Sequence, residues 1–281
     1  MEFDVPCDPR QVFDLPLIDG DLVLYKAGFS ANRTEYRVNH PLLPTVTYSS
    51  KYDAQYACHE LSIDESLIEG ISIEEPVDHA IHNLKKLIAG ISASTGGNEP
   101  IVMLSGPSEE NFRYTVDAEY KGNRSGRKPA HFEELREYLL TKYKTVVSRG
   151  CEADDLMYPA AVAAATRGHS AVICSIDKDM LTLPGWHYNW DKNEVIKVTP
   201  VQAYTNFARQ MVVGDTSDNV KGIPGVGPKG AMKKVNNIMN AKGLYYSYYG
   251  SPTITREEWN KNAKLLWIWR KLPDECPHLI T

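Results

Sequence analysis

Acidic residues recur just after the segments of this 281-residue chain that read as short buried strands. Asp19 ends the first of them, and Glu152, Asp154 and Asp155 follow the third. Asp177 and Asp179 follow the fourth, and Asp215 and Asp218 follow a helix predicted over 200–213. In an open α/β sheet the carboxyl ends of the strands share one edge, where ligands bind. These carboxylates are therefore expected to converge on one crevice, where they would repel one another unless cations neutralise them. Hard oxygen donors suit Mg²⁺ or Mn²⁺ rather than zinc. Two such ions about 3.5–4 Å apart are a recurrent device for phosphodiester hydrolysis. Taken singly, any of these acids reads as a helix cap or a first-turn complement to the helix dipole. Asp21 is read that way, as the cap of the following helix.

A second informative stretch is the glycine-rich run over 222–231, from Gly222 through Gly225, Gly227 and Pro228 to Lys229. Glycines let backbone N–H groups come close to an anion. Lys221, Lys229, Lys233 and Lys234 surround or follow it. The run lacks the spacing and the Ser/Thr of a nucleotide-binding P-loop. It fits a hairpin between helices that grips a sugar–phosphate backbone without reading bases. The bland alternative is a Gly/Pro turn with exposed lysines.

The elements that must position these groups read as follows. Residues 15–19, 101–104, 145–148 and 171–175 are expected strands. Residues 187–190 and 195–198 form an expected small hairpin. Helices are expected over 22–29, 131–143, 152–166 (kinked or delayed by Pro159) and 200–213, the last capped by Thr199. Val77, Ile81, Leu84, Ile88 and Ile91 recur at helical spacing, so 76–93 is an amphipathic helix. Residues 30–52 show little periodicity and are expected to be a loop. Strand–helix alternation of this kind argues an α/β fold with a mainly parallel central sheet flanked by helices.

Composition bounds the rest. Lys and Arg number 31 against 36 Asp and Glu, a formal net charge of −5, which by itself argues against a simple basic nucleic-acid binder. The distribution says otherwise. Residues 113–150 carry 9 basic and 5 acidic groups, and 151–218 carry 5 and 9. Residues 219–242 carry 5 lysines and no acid. Two basic blocks flank an acidic one, as a cation centre between polyanion-binding surfaces would. The five cysteines are odd in number and form no C-x-x-C, so neither a disulfide framework nor a zinc ribbon is expected. Cys151 and Cys174 read as core fillers, and the tryptophans at 186, 190, 267 and 269 as packing residues. With no signal peptide and no membrane-length apolar run, a soluble cytoplasmic protein is expected; a monomer is expected as well.

The run from Asp215 through Asp218 to Lys229 resembles the shared signature of the 5′-nuclease superfamily. That superfamily contains flap endonucleases, the 5′-nuclease domain of bacterial DNA polymerase I and bacteriophage 5′→3′ exonucleases. Further motifs agree in order: Asp19-Gly20, Phe112-Arg113, Tyr120-Lys121 with Arg124, Glu152 to Asp155, and Ser175 to Asp179. The resemblance spans roughly 15–242, and 243–281 carries no recognisable motif. It implies a PIN-like 5′-nuclease domain over 1–199 with a short helical arch near 121–145. It also implies a helical region over 200–281 containing a helix–three-turn–helix module at about 215–242.

The resemblance assigns Asp19, Glu152 and Asp154 to a first divalent metal. Asp177, Asp179 and Asp215 go to a second, with Asp155 and Asp218 in support. A potassium ion is implied in the module. Lys121 and Arg124 would meet the scissile phosphate, and Tyr120 would stack on a terminal base. Arg127, Lys128, Lys221, Gly225, Gly227, Lys229, Lys233 and Lys234 would contact DNA. The implied activity is metal-dependent 5′→3′ exonuclease or 5′-flap endonuclease cleavage of duplex DNA, extending to RNA in RNA–DNA hybrids. Residues 75–88 and the chain length look most like tailed-phage exonucleases acting in DNA replication. One position departs: where the family usually has an aspartate, this chain has Ser105, for which Asp21, Glu109 or Glu110 would compensate. That departure supports an alternative, a structure-specific DNA-binding protein with an impaired nuclease site. A ribonuclease of the related small toxin fold would fit the acids but not the glycine hairpin.

Overall fold

A computed structural model describes residues 12–43, 46–97, 99–124, 128–247 and 255–280. Arg127, Cys7 and the tip of the expected arch at 125–127 lie outside the described residues.

In chain order the elements are β1 (Leu15–Asp19), α1 (Gly20–Phe29), β2 (Asn32–Val38), β3 (Thr47–Tyr48) and α2 (Lys51–Glu60). Next come β4 (Ile68–Glu74), α3 (Val77–Thr95), β5 (Ile101–Leu104), α4 (Arg113–Val116), α5 (Phe132–Lys142), β6 (Lys144–Val147) and α6 (Asp154–Ala165). The chain continues with β7 (Ala171–Cys174), β8 (Gly185–Asn189), β9 (Glu194–Val198) and α7 (Pro200–Val213). It closes with β10 (Gly214–Asp215), β11 (Val220–Lys221), α8 (Pro228–Lys234), α9 (Ile238–Ser247) and α10 (Arg256–Leu266).

The main sheet has the order β6-β5-β1-β7-β8-β9 and is parallel except for β9. The chain winds outward from β1 through β5 to β6, then crosses back to place β7 on the other side of β1. The strand order therefore reverses beside β1, where open sheets of this kind leave a crevice at the strand ends. The expected hairpin near 187–198 is present as β8–β9, at one edge of this sheet.

Two compact units divide the chain. One comprises residues 1–22, 89–127 and 139–281 and holds the main sheet and helices α6 to α10. In it, Met157 and Ala153 of the α6 region pack on Leu17, Met103 and Ile173 of the sheet. A second apolar cluster joins α7 to α10 through Phe207, Met211, Ile223, Val226, Trp259 and Trp267. Described residues of the motif-free stretch after 242, Tyr245, Trp259 and Trp267 among them, thus supply core. Thr199 caps α7 as expected: its hydroxyl accepts from the Gln202 amide at 3.2 Å while the Gln202 side chain accepts from the Thr199 amide at 2.8 Å.

The other unit comprises residues 23–88 and 128–138. Here the expected loop over 30–52 is corrected. It forms β2 and β3 of an antiparallel sheet ordered β3-β2-β4, with α2 packed through Ala54 and Cys58 against Val38 and Tyr36. β2 buries only Val38 and β4 buries no residue, and the long pairing of β2 with β4 carries the segment. That pairing spans residues 32–74, a separation at which no local pattern announces it.

Two further details differ from expectation. The helix expected from 152 begins at Asp154 and continues through Pro159. The cap of α1 is Asp19, whose Oδ1 accepts the Leu22 amide at 3.1 Å, and not Asp21. Gly20 follows because β1 and β5 leave no room beyond it. A Cβ there would stand 2.5 Å from the Met103 carbonyl and 2.5 Å from Val102. Gly20→Ala is expected to destabilise the protein by about 1–3 kcal/mol, the usual cost of overpacking. A shift in the urea midpoint at unchanged slope checks it.

Candidate active site

The carboxyl ends of β1, β7 and β6 deliver the expected acids to one place. Glu152, Asp154, Asp177, Asp179 and Asp218 line a single cleft with Tyr120, Lys121 and Arg124. Asp19 and Asp215 are buried, 3% and 4% exposed. Each acts on the lining acids: Asp19 pushes Asp154 up, and Asp215 pushes Asp179 up.

Each carboxylate is held by local chain geometry. Ser175, just past β7, donates its hydroxyl to Asp19 Oδ2 at 2.8 Å and accepts the Asp177 amide at 3.0 Å. Asp177 in turn accepts the Asp179 amide at 2.8 Å, capping a short 3-10 turn. Asp215 Oδ1 accepts the Ser217 amide at 2.8 Å and also its hydroxyl.

The electrostatics follow from crowding and burial. Burial, then the charges of Asp21 and Asp177, push Asp19 up to about 7. Burial and the charges of Asp19, Glu152 and Asp177 hold Asp154 well above the carboxylate range. Burial and Asp177 push Asp179 up to about 8. Asp215 goes the other way, to about 2: hydrogen bonds from Ser217, with Asp179 and Lys178 beside it, outweigh its burial. Glu152 is lowered despite burial because the Lys121 and Arg113 cations face it.

Two lysines stand among the acids. Lys121 donates to Glu152, and Lys178 lies 3.4 Å from Asp215 and 3.8 Å from Asp179. Among the described residues no three acidic, histidine or cysteine side chains already converge in a ligand shell. The donor set nonetheless fits hard divalent cations: all oxygen, and so crowded that burial and neighbouring charge raise Asp19, Asp154 and Asp179. Asp19, Glu152, Asp154, Asp177, Asp179 and Asp215 are the residues that would hold such ions.

The loop bearing the basic residues is bonded to the loop bearing the last acids. The Lys121 amide donates to the Asp218 carbonyl at 3.0 Å, and Asn123 donates to the Thr216 carbonyl. Arg124 reaches the Ser217 carbonyl at 3.1 Å and the Asp218 carboxylate at 2.6 Å. Asn219 closes the set on the Glu119 carbonyl at 2.9 Å. Lys121 and Asn219 adopt positive φ, 57° and 59°, an uncommon conformation for residues with a Cβ. These mutual bonds hold it in place.

Two assigned roles are corrected. Tyr120 is not open for base stacking: it is 2% exposed, packed edge-on against Tyr114 at 5.7 Å. Its hydroxyl donates to Asp218 at 2.8 Å and to Glu152 at 3.2 Å. Burial and the Glu152 charge push its hydroxyl up, so it stays protonated as a donor. Asp155 is not presented to a metal either. It is fully buried and accepts two bonds from Arg113, at 2.6 and 2.9 Å, with the Glu152 amide at 3.0 Å and the Trp269 amide at 3.1 Å.

Arg113 is a site residue whose part in the cleft its Phe112-Arg113 motif does not announce. It is 2% exposed and also donates to the carbonyls of Leu265 and Trp267, each at 2.9 Å. Phe112 stacks on Trp269 with ring centroids 5.2 Å apart. The C-terminal segment is thereby fastened to the corner that carries Glu152 and Asp154. The available signal was an arginine within an otherwise aromatic and acidic stretch.

The expected DNA contacts divide. Lys221, Lys229, Lys233 and Lys234 are exposed, and Val226 is buried between Gly225 and Gly227. Both glycines face open space, Gly225 at φ 76°. Lys128, in the other unit, pairs with Glu133 at 2.8 Å and lies 4.3 Å from the Phe132 ring. Cys151 and Cys174 are buried and their thiols pushed up, as core fillers should be. Trp267 is buried, in line with a packing role.

Fold and site together define a nuclease-type sheet with an acidic cleft at its switch point. The family described as 5′-3′ exonuclease, N-terminal resolvase-like domain, matches residues 54–211, and the chain belongs to that family. Among curated relatives, a 5′-3′ exonuclease of Buchnera aphidicola (Schizaphis graminum strain) is 29% identical over 62% of this chain and 65% of its own length. Flap endonuclease Xni of Shewanella amazonensis is 30% identical over 56% of this chain and 70% of its own. The chain thus spans 65% and 63% of the lengths of the two Buchnera relatives it matches. A crystal structure of bacteriophage T5 flap endonuclease, a pseudo-enzyme–product complex with DNA and metal ions, shares the fold: TM-score 0.53, 17% identity, 90% of this chain and 85% of that one. A second T5 5′-exonuclease structure, with bound zinc, aligns at TM-score 0.51 and 17% identity over 90% and 86%. No described helix is long and apolar enough to cross a membrane.

Two outcomes are expected from this geometry. Arg113→Met leaves the Asp155 charge buried and unpaired and should cost about 3–5 kcal/mol in urea unfolding. Asp19 and Asp179, raised to about 7 and about 8, bind more protons folded than unfolded between about pH 4 and 8. Without divalent metal, their contribution to stability is therefore full below about pH 4 and lost as pH rises toward 8. Thermal unfolding from pH 5 to 8.5 should show a falling Tm in EDTA and a flatter profile in Mg²⁺.

Proposed function

We propose that this chain is a divalent-metal-dependent 5′→3′ exonuclease and 5′-flap endonuclease on duplex DNA, releasing 5′-phosphorylated products. The observation that carries the reading is the single cleft in which Glu152, Asp154, Asp177, Asp179 and Asp218 meet Lys121 and Arg124. An acidic cleft alone would repel a phosphodiester. An acidic cleft that takes up two Mg²⁺ or Mn²⁺ ions, with cations at its rim, attracts one.

When bound, the divalent ions supply activation of water and neutralise charge on the scissile phosphate. The chain's own groups do the rest. Asp19, Glu152 and Asp154 serve one ion; Asp177, Asp179 and Asp215 serve the other. Lys121 and Arg124 turn from their carboxylate partners to the phosphate. Tyr120 keeps the Glu152 and Asp218 carboxylates in register through its hydroxyl. Asp218 supports the second ion through Arg124 and Tyr120. Residues 1–199 form the nuclease domain, with 121–145 as a short arch bearing Arg127 and Lys128. Residues 200–281 carry the helix–three-turn–helix module near 215–242. There backbone carbonyls would hold a potassium ion, and Lys221, Gly225, Gly227, Lys229, Lys233 and Lys234 would follow the DNA backbone. The same site accepts RNA in RNA–DNA hybrids. A monomer working in a host-cell cytoplasm during phage replication or host DNA breakdown completes the reading.

Ser105 favours the second reading, a DNA-binding protein with an impaired site. A 5′-labelled duplex separates the two: nucleotide release in Mg²⁺ but not in EDTA supports the enzyme, and binding without release in either supports the alternative. Asp154→Ala and Asp177→Ala should each lower cleavage at least a hundredfold while duplex affinity stays within a few-fold. Full activity in both variants would overturn the metal assignment.

A further inference from the structure

We propose that Asp21 supplies a carboxylate to the first metal position, and that Ser105 holds it there instead of acting as a ligand. This inference rests on the metal-dependent reading above.

Asp21 lies two residues past Asp19, in the first turn of α1. Because β1 pairs in parallel with β5, Asp19 opposite Met103, the chain just beyond β5 lies beside that turn. The Ser105 amide donates to both Asp21 oxygens, at 3.2 and 3.2 Å. A carboxylate bonded through both oxygens to one N–H is fixed in orientation, and it sits where strands β1 and β5 end.

Two observations separate this from an ordinary first-turn acid. The cap of α1 is already Asp19, so capping does not account for Asp21. Its carboxylate stands against Ser105, whose hydroxyl in turn bonds the Ala153 amide between Glu152 and Asp154. A carboxylate fixed at the sheet edge that carries the other acids is expected where a cation relieves their repulsion.

Ser105 has a different task. Its hydroxyl accepts the Ala153 amide at 3.0 Å, between Glu152 and Asp154. One residue thus steadies acids on both sides, Asp21 through its amide and the Glu152–Asp154 corner through its hydroxyl. Glu109 and Glu110 lie exposed on the 3-10 turn Ser108–Glu110.

The test is Mn²⁺ titration of the full-length protein without DNA, followed by the electron paramagnetic resonance of free Mn²⁺, with circular dichroism to confirm folding. Asp21→Asn should weaken one site at least tenfold and leave the other unchanged. Asp21→Ser combined with Ser105→Asp should restore affinity to within about threefold of the parent. Wild-type binding by folded Asp21→Asn overturns the proposal. If Asp21→Asn does not fold, a folded double variant that binds at least tenfold more weakly than the parent overturns it. Asp154→Asn is the control for the underlying reading. If it too binds Mn²⁺ like the parent, the metal-site assignment fails as a whole. If only Asp21→Asn binds normally, the assignment stands and Asp21 is structural.

Discussion

Carboxylates crowded at the switch point of a parallel sheet repel one another, and much of the surrounding structure answers that repulsion. Burial and neighbouring charge push Asp19, Asp154 and Asp179 up. Glu152 and Asp215 answer it by facing Lys121 and Lys178. Asp155 answers it by burial against Arg113. Divalent ions in the cleft, as proposed above, would relieve that repulsion at Asp19, Asp154, Asp179, Glu152 and Asp215, while Asp155 stays with Arg113.

The buried Arg113–Asp155 pair gives the cleft its rigidity. Burying two charges is costly, and the cost is met here by a full set of bonds: a bidentate contact, two carbonyls and two amides. Those bonds draw on residues 113, 152, 155, 265, 267 and 269, so strand end, helix start and C-terminal segment are fixed together. The residues with no recognisable motif thereby help set where Glu152 and Asp154 stand.

The loops over 119–124 and 215–219 form a second rigid piece. Their bonds are mostly between side chains of one and carbonyls of the other. Bonds of that kind depend on backbone path more than on neighbouring side chains. They keep Lys121 and Arg124 beside the acids while both cations remain paired.

The sequence by itself determined the sheet, its strand ends and the acids placed on them. Strand alternation and acid placement are local patterns, readable from a few residues at a time. Thr199 and Gln202 capping α7, and the helical spacing of Val77 to Ile91, were legible for the same reason. Only the tertiary structure decided what each acid does. Asp155 and Asp177 look alike in sequence, yet one faces a buried guanidinium and the other caps an open turn. Tyr120 looks like a stacking residue until its burial among Phe207, Trp259 and Trp267 is seen. The antiparallel sheet over 32–74 and the bond from Ser105 to Asp21 join residues 42 and 84 positions apart. Contacts across such separations are set by packing, and no local pattern in the chain encodes them.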